Sequence, residues 1–332
     1  MKQDSHIAVL GAGSWGTALA LLLAGNGYPV RLWGHDADHM AQLQADGENK
    51  AFLPGVAFPD TLNAHRDLAE TVDGCGQCLL VVPSHAFRDV LKRCKTHLHG
   101  QPLAWATKGL DDGRLLHETA EELLGKDTAL AVLSGPTFAG EVARGLPGAM
   151  TVAATDRAYA TQLAEQLSNR HFRAYHSDDI IGVELGGAVK NVLAIAAGVA
   201  DGLGFGANTR SALITRGLAE MARLGEAMGA QPETFMGLAG MGDLVLTCTD
   251  NQSRNRRMGL ALGQGKDVES TRAEIGQEVE GILTTREVFR LAQSKNVDMP
   301  ITEQVYRVLY EGLEARQAVS NLLQRNPRAD GI

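Results

Sequence analysis

Short aliphatic runs alternate with longer amphipathic stretches through the first half of the chain. The runs His6–Leu10, Pro29–Trp33, Cys78–Val82, Leu103–Ala106 and Ala129–Leu133 predict strands, with helices such as Thr17–Ala24 and Arg114–Leu124 between them. Two further strand-like runs, Ala149–Ala154 and Phe172–Tyr175, flank a helical pattern near Ala158–Leu167. Strand–helix alternation implies a doubly wound α/β domain, a parallel sheet covered on both faces. The character changes after Ser177, which suits a helix cap followed by the first-turn acids Asp178 and Asp179. From there the chain reads as helices joined by glycine-rich loops. They fall at Asp178–Val199, Thr209–Met228 with Asn208 as its cap, Ser253–Leu262, Glu280–Ser294, Ile301–Tyr310 and Ala315–Leu323. This predicts two domains, 1–177 and an all-helical 178–332, sharing a cleft. There is no internal repeat and no long linker.

Composition narrows the classes. A length of 332 residues suits two cores, and 44% hydrophobic with 21% charged residues is ordinary for a globular protein. The net charge of -8 disfavours nucleic acid and anionic lipid, so an anionic substrate needs a local cationic pocket. Ile7–Gly25 is uncharged and imitates a signal peptide, but its spaced glycines read better as strand, tight turn and helix. The apolar run Val192–Ala200 is too short to span a bilayer. The expectation is a cytoplasmic chain with no membrane segment. Four cysteines in this length fit a reducing compartment. Cys75 and Cys78 form a C-x-x-C pair that reads as two incidental thiols before a strand, without a partner pair for zinc. His35 and His39 lie four apart on an expected helix but lack a third ligand, so no metal is expected.

Gly11, Gly13 and Gly16 form a G-x-G-x-x-G that follows a strand and opens a helix, the context that makes this motif a dinucleotide site. The first glycine permits a tight turn, the second lets the backbone approach a pyrophosphate, and the third lets helix and strand pack closely. The second strand ends in Gly34-His35-Asp36. Asp36 stands where a carboxylate binds a ribose diol, His35 suits a 2′-phosphate, and Asp36 equally suits a helix start. NAD and NADP both stay open.

Chemistry-bearing residues follow. Lys108 comes directly after a strand, and so does Ser134-Gly135-Pro136-Thr137, at the carboxyl ends where open α/β sheets bind ligands. Lys190 lies in a helix of small and apolar residues, where burial would lower its pKa toward a catalytic range. Gly186 and Gly187, a turn earlier, read as clearing space for a ligand, and Asn191 adds an amide. Asp243, in a glycine loop, is a candidate partner for Lys190 or an ordinary turn aspartate. Ser253-Arg254-Asn255-Arg256-Arg257 combines a guanidinium with a helix start, which suits a phosphate dianion; Arg256 and Arg257 themselves read as a solvated face.

Taken together, GAGSWGTALA, WATKGL, SGPTFAGEVARGLP, GVELGGAVKNVLAIAAGVADGLGFGANTRSALITRGLAEM, GMGDLVLTCTDNQSRNRRMG and VEGILTT resemble the bacterial NAD(P)-dependent glycerol-3-phosphate dehydrogenases along nearly the whole chain. The resemblance implies a Rossmann-type domain followed by an all-α domain like the C-terminal one of 6-phosphogluconate dehydrogenase. It implies interconversion of dihydroxyacetone phosphate and sn-glycerol 3-phosphate for phospholipid synthesis, usually by a homodimer. Lys190 would be the proton acceptor in the oxidative direction, oriented by Asp243 and Asn191. Ser14, Trp15, His35, Lys108, Ala139, Arg254, Val279 and Glu280 would contact the NAD or NADP cofactor. Lys108, Gly135, Thr137, Lys190, Asp243, Thr247, Ser253, Arg254 and Asn255 would contact or line the substrate site. Rival readings are a 3-hydroxyacid or 6-phosphogluconate type dehydrogenase and a non-catalytic dinucleotide sensor; the SRNRR cluster and GMGDL loop favour the glycerol phosphate reading.

Overall fold

The computed structural model describes residues 5–325. The chain forms two compact units: residues up to Thr107 with Leu116–Ile180, and Lys108–Leu115 with the chain from Ile181 onward. The cut after Ser177 does not anticipate the short excursion at Lys108–Leu115.

In the first unit β1 (Ile7–Leu10), α1 (Ser14–Gly25), β2 (Val30–Trp33), α2 (Ala37–Asp46), β3 (Leu62–His65), α3 (Leu68–Val72), β4 (Gln77–Leu80) and α4 (Ser84–Lys95) alternate. They continue through β5 (Leu103–Trp105), α5 (Leu116–Leu124), β6 (Leu130–Ser134), α6 (Ala139–Ala143), β7 (Gly148–Ala154), α7 (Arg157–Leu167) and β8 (Phe172–Ser177). The strands form one sheet in the order β3-β2-β1-β4-β5-β6-β7-β8. All neighbours are parallel except β6 and β7. The chain order reverses between β1 and β4, the point at which doubly wound sheets bind ligands. β1 and β4 are buried throughout, as a strand covered on both faces must be. Apolar nearly all round, α1 is a core helix of this unit: Gly16 to Ala24 are all buried. β3, Leu-Asn-Ala-His, escapes the sequence pattern because half its side chains are polar.

The second unit is helical: α8 (Ile180–Gly202), α9 (Ala207–Met228), α10 (Pro232–Met236), a π-helical turn at Leu238–Gly242, α11 (Asp243–Thr249) and α12 (Arg254–Gly263). α13 (Val268–Ile275), α14 (Glu280–Ser294), α15 (Pro300–Tyr310) and α16 (Ala315–Leu323) follow. α8 is longer than the apolar run inside it: its 23 residues hold an 18-residue stretch of mean hydropathy 1.6, long and apolar enough to cross a bilayer. Here 83% of that stretch is buried inside the protein, so it is the core helix of this unit. α9 begins earlier than expected: Gly206 occupies its cap position, and Asn208 lies inside the first turn.

Candidate active site

The glycine motif of the first unit is shaped for close backbone approach. Gly11 has φ +126°, and a Cβ there would sit 2.1 Å from the Val81 carbonyl oxygen beyond β4. A Cβ at Gly16 would meet the Gly11 oxygen at 1.8 Å. A Cβ at Gly13 would meet nothing within 4 Å. The outer two glycines therefore serve packing, while the middle one faces open space where a pyrophosphate would fit. The N-terminus of α1 has no side-chain cap and no acid in its first turn, so its donors remain for an anion. Ser14 and Trp15, half-buried, open that helix.

A residue missed in the sequence secures this turn. Asn49 is fully buried and donates to the Ala12 carbonyl (2.9 Å) and Thr17 Oγ1 (2.8 Å). Its Oδ1 accepts from Phe52 N–H and His39 Nε2. Nothing in the polar stretch Gly47-Glu48-Asn49-Lys50 signals this. His39 is thus part of the support of the loop, and His35 lies before α2, not on it. Asp36 is the cap of α2, accepting from Asp38 and His39 N–H at 3.0 Å, and those amides hold its carboxyl below the usual range. His35 is exposed beside it. Gly135, with φ +158°, follows β6; a Cβ there would lie 2.7 Å from Met150 Cα. Thr137 donates to the Gly135 carbonyl at 3.2 Å, and Ala139 starts α6. Cys75 and Cys78 are buried free thiols; burial pushes Cys75 up to about 11 and raises Cys78 well above the ordinary thiol value.

The second unit holds the charged constellation. Lys190 is buried on α8 and donates to Asp243 Oδ1 at 2.5 Å and to Thr247 Oγ1 at 3.0 Å. Thr247 donates its own proton to the Asp243 carbonyl (2.6 Å), which leaves a lone pair for the ammonium. Asp243 is 1% exposed, and its other oxygen accepts from Lys108 Nζ at 2.7 Å. One buried carboxylate thus binds two ammonium groups. Burial lowers the Lys190 pKa to about 7, aided by Lys108 and opposed by Asp243. Burial alone would raise Asp243, but the two lysines outweigh it and hold the carboxyl below its ordinary value. Asp243 stands in the first turn of α11, where the helix dipole favours a negative charge, directly after the π-helical turn. The expected glycine loop is therefore helix. Gly186 does not clear space for a ligand: a Cβ there would meet the Ala239 carbonyl oxygen at 2.5 Å, so it admits the π turn instead.

Ser253 caps α12, accepting from Arg256 N–H at 3.2 Å. The amides of Arg254 and Asn255 have no partner within the helix, and Arg254 is exposed beside them. Arg256 departs from the solvated reading. It is buried, donating to the Cys248 carbonyl (3.0 Å), to Asn251 Oδ1 and to Asp201 Oδ2 (2.5 Å). Arg257 is exposed. Asn255 is buried and bonds to Asn191 and to the Gly281 amide, both at 2.9 Å. Val279 is the buried cap residue of α14, and Glu280 is partly buried at its first position. Burial raises the Glu280 carboxyl to about 7 against the pull of Arg254 and Lys108.

The chain is similar to known proteins along nearly its whole length. Residues 6–160 match the family model "NAD-dependent glycerol-3-phosphate dehydrogenase N-terminus", and residues 179–320 match "NAD-dependent glycerol-3-phosphate dehydrogenase C-terminus". The chain is 60% identical over 328 residues to a glycerol-3-phosphate dehydrogenase [NAD(P)+] of Methylococcus capsulatus, covering 98% of both chains. It is 58% identical to one from Vibrio cholerae, covering 98% of this chain and 96% of the other. The crystal structure of the glycerol-3-phosphate dehydrogenase of Coxiella burnetii superposes with a TM-score of 0.94 at 52% identity, covering 97% of this chain and 99% of that one. On this identity along nearly its full length, the chain belongs to the NAD(P)-dependent glycerol-3-phosphate dehydrogenases.

Proposed function

We propose that the chain reversibly reduces dihydroxyacetone phosphate to sn-glycerol 3-phosphate, with Lys190 as the proton donor in reduction and acceptor in oxidation. The observation that carries the mechanism is the buried Lys190 ammonium fixed between Asp243 and Thr247. When bound, NAD(P)H supplies the hydride. Lys190 spends two of its three N–H donors on Asp243 and Thr247; the third has no acceptor among the described residues and is the one for the C2 oxygen of the substrate. A pKa near neutrality lets the same nitrogen give a proton in one direction and take it in the other. With Lys190 protonated, as reduction requires, Asp243 balances only one of two lysines, and the surplus positive charge suits a phosphorylated substrate. Arg254 and the free amides at the start of α12 anchor the phosphate, with Ser253 beside them.

The dinucleotide belongs to the open end of α1, with Ser14 and Trp15 at its start and His35 toward the adenosine ribose. Lys108, Ala139, Val279 and Glu280 are further contacts on this reading, and Gly135 and Thr137 serve the substrate. NADP and NAD are both admitted, because Asp36 is committed to capping α2. The product supplies glycerophospholipid synthesis in the cytoplasm; the free cysteines suit that reducing compartment.

The test is NAD(P)H oxidation, followed by absorbance, with dihydroxyacetone phosphate and with unphosphorylated dihydroxyacetone. Turnover that requires the phosphate supports the reading. Lys190→Ala should lose roughly 100- to 10,000-fold in kcat, the usual worth of a general acid, while dinucleotide binding persists. Near-normal turnover in that variant removes Lys190 from the mechanism.

A further inference from the structure

Asn255 is spent at both ends. Gly281 N–H donates to its Oδ1, and its Nδ2 donates to Asn191 Oδ1, each at 2.9 Å. A backbone N–H can only donate, so the atom of Asn255 that it meets is the oxygen. The amino end of Asn255 then faces Asn191 and requires an acceptor there. Asn191 must turn its oxygen toward Asn255, and its own amino group is left over. That group has no bond among the described residues, although Asn191 is buried and directly follows Lys190. The polarity of the amide chain is therefore set by the start of α14. Val279, the cap residue of α14, has no side-chain acceptor to offer, and α12 supplies one through Asn255. Gly281 makes the approach possible: a Cβ there would lie 2.6 Å from Asn255 Oδ1 and 3.0 Å from the Asn191 carbonyl oxygen.

We propose that Asn255 is a positioning residue that locks the Asn191 amide, so that its amino group is offered to the C2 oxygen of the substrate beside the Lys190 ammonium. This rests on Lys190 being the proton donor. The two neighbours on α8 then play different parts. Lys190 gives up its proton to the oxygen that gains charge, and Asn191 remains as a neutral donor that stabilises it. The Asn255 side chain acts through Asn191, which takes one of its two amide donors and fixes the direction of the other.

The test is Asn255→Asp. The new side chain has nearly the same shape and still accepts from Gly281. It now presents a carboxylate oxygen to Asn191, which must turn and donate, offering its carbonyl oxygen to the substrate. The expected result is a fall of roughly 100-fold in kcat for dihydroxyacetone phosphate reduction, the cost of losing one oxyanion donor, with KM little changed. Rates are compared on the plateau of each pH profile, so that any effect of the new charge on Lys190 is read separately as a shifted midpoint. Asn191→Ala should cost about as much, and the double variant no more than either single one. A KM increase with kcat retained, or losses that multiply in the double variant, would show that Asn255 acts directly and would overturn the proposal. A normal kcat in a folded Asn255→Asp protein would overturn it too. A wild-type chain that does not reduce dihydroxyacetone phosphate instead defeats the functional reading itself, which the wild-type assay decides before any variant is made.

Discussion

Asp243 holds two buried or half-buried ammonium groups, and most of the chemistry of the site follows from that imbalance. Burial takes Lys190 to about 7, so its charge changes within the working pH range. Reduction needs the ammonium and oxidation the free amine. kcat/KM for reduction should therefore fall, and for oxidation rise, as pH increases through about 7. Profiles measured in both directions check this, and parallel profiles would disconnect Lys190 from the proton. Asp243→Asn isolates the cause. It removes the one partner that raises the Lys190 pKa and leaves burial and Lys108, which lower it. The midpoint should move to lower pH, whereas a move to higher pH would mean that burial does not control the lysine. Lys190 could be recognised in the sequence because a charged residue in an apolar helix is conspicuous. Thr247 and Asn255 entered as substrate-site residues through the family resemblance, but their bonds to Lys190 and Asn191 could not be read, since these depend on which helices meet.

Glycine shows why elements were only partly legible. α8 and α12 cross with their backbones in contact: a Cβ at Gly198 would lie 2.2 Å from the Arg256 carbonyl oxygen, and one at Gly259 would lie 2.0 Å from that of Ile195. Gly198→Ala should thus destabilise by about 3 kcal/mol, as overpacking does, and reduce activity, because these two helices carry Lys190 and Arg254. Gly25→Ala, at the end of α1 where a Cβ meets nothing within 4 Å, should instead stabilise by roughly 0.5–1 kcal/mol through the unfolded chain. Thermal melts of both variants test the contrast. A glycine in sequence signals either freedom or proximity. Reading freedom at Gly240 and Gly242 hid the π turn and α11, although a Cβ at Gly240 would lie 2.2 Å from the Phe235 carbonyl oxygen. The start of α15 carries a further prediction. Glu220 of α9, 1% exposed, accepts from Ile301 and Thr302 N–H. Burial raises it from 4.5 to about 7, so the native state binds the extra proton. Its contribution to stability is complete below about 4.5 and is lost as pH rises through about 7. Glu220→Gln should flatten the decline of melting temperature across that window, and an unchanged slope would assign the decline to other groups.

At the scale of the molecule, the alternation of strands and helices and the change after Ser177 gave away the class of each half, because period and length are local properties. The excursion of Lys108–Leu115 into the helical unit is not local, and no pattern in those eight residues announces it. It has a mechanical consequence. Leu110 and Leu115 are 0% and 1% exposed and pack with Leu185, Val189 and Val288 in the core of the helical unit. The same segment brings Lys108 to Asp243. A fragment comprising 178–332 contains every later helix but lacks both leucines and one of the two ammonium groups. Losing a buried leucine costs about 2–5 kcal/mol, so losing two removes an amount comparable with the whole stability of a domain, about 5–15 kcal/mol. Expressed alone, 178–332 should therefore melt without a sharp transition, or far below the intact chain. Leu110→Ala with Leu115→Ala in the intact chain should reproduce much of that loss while Lys108 is retained. A fragment that melts as sharply and as high as the full-length protein would show that the segment is a passenger on the helical core, not part of it.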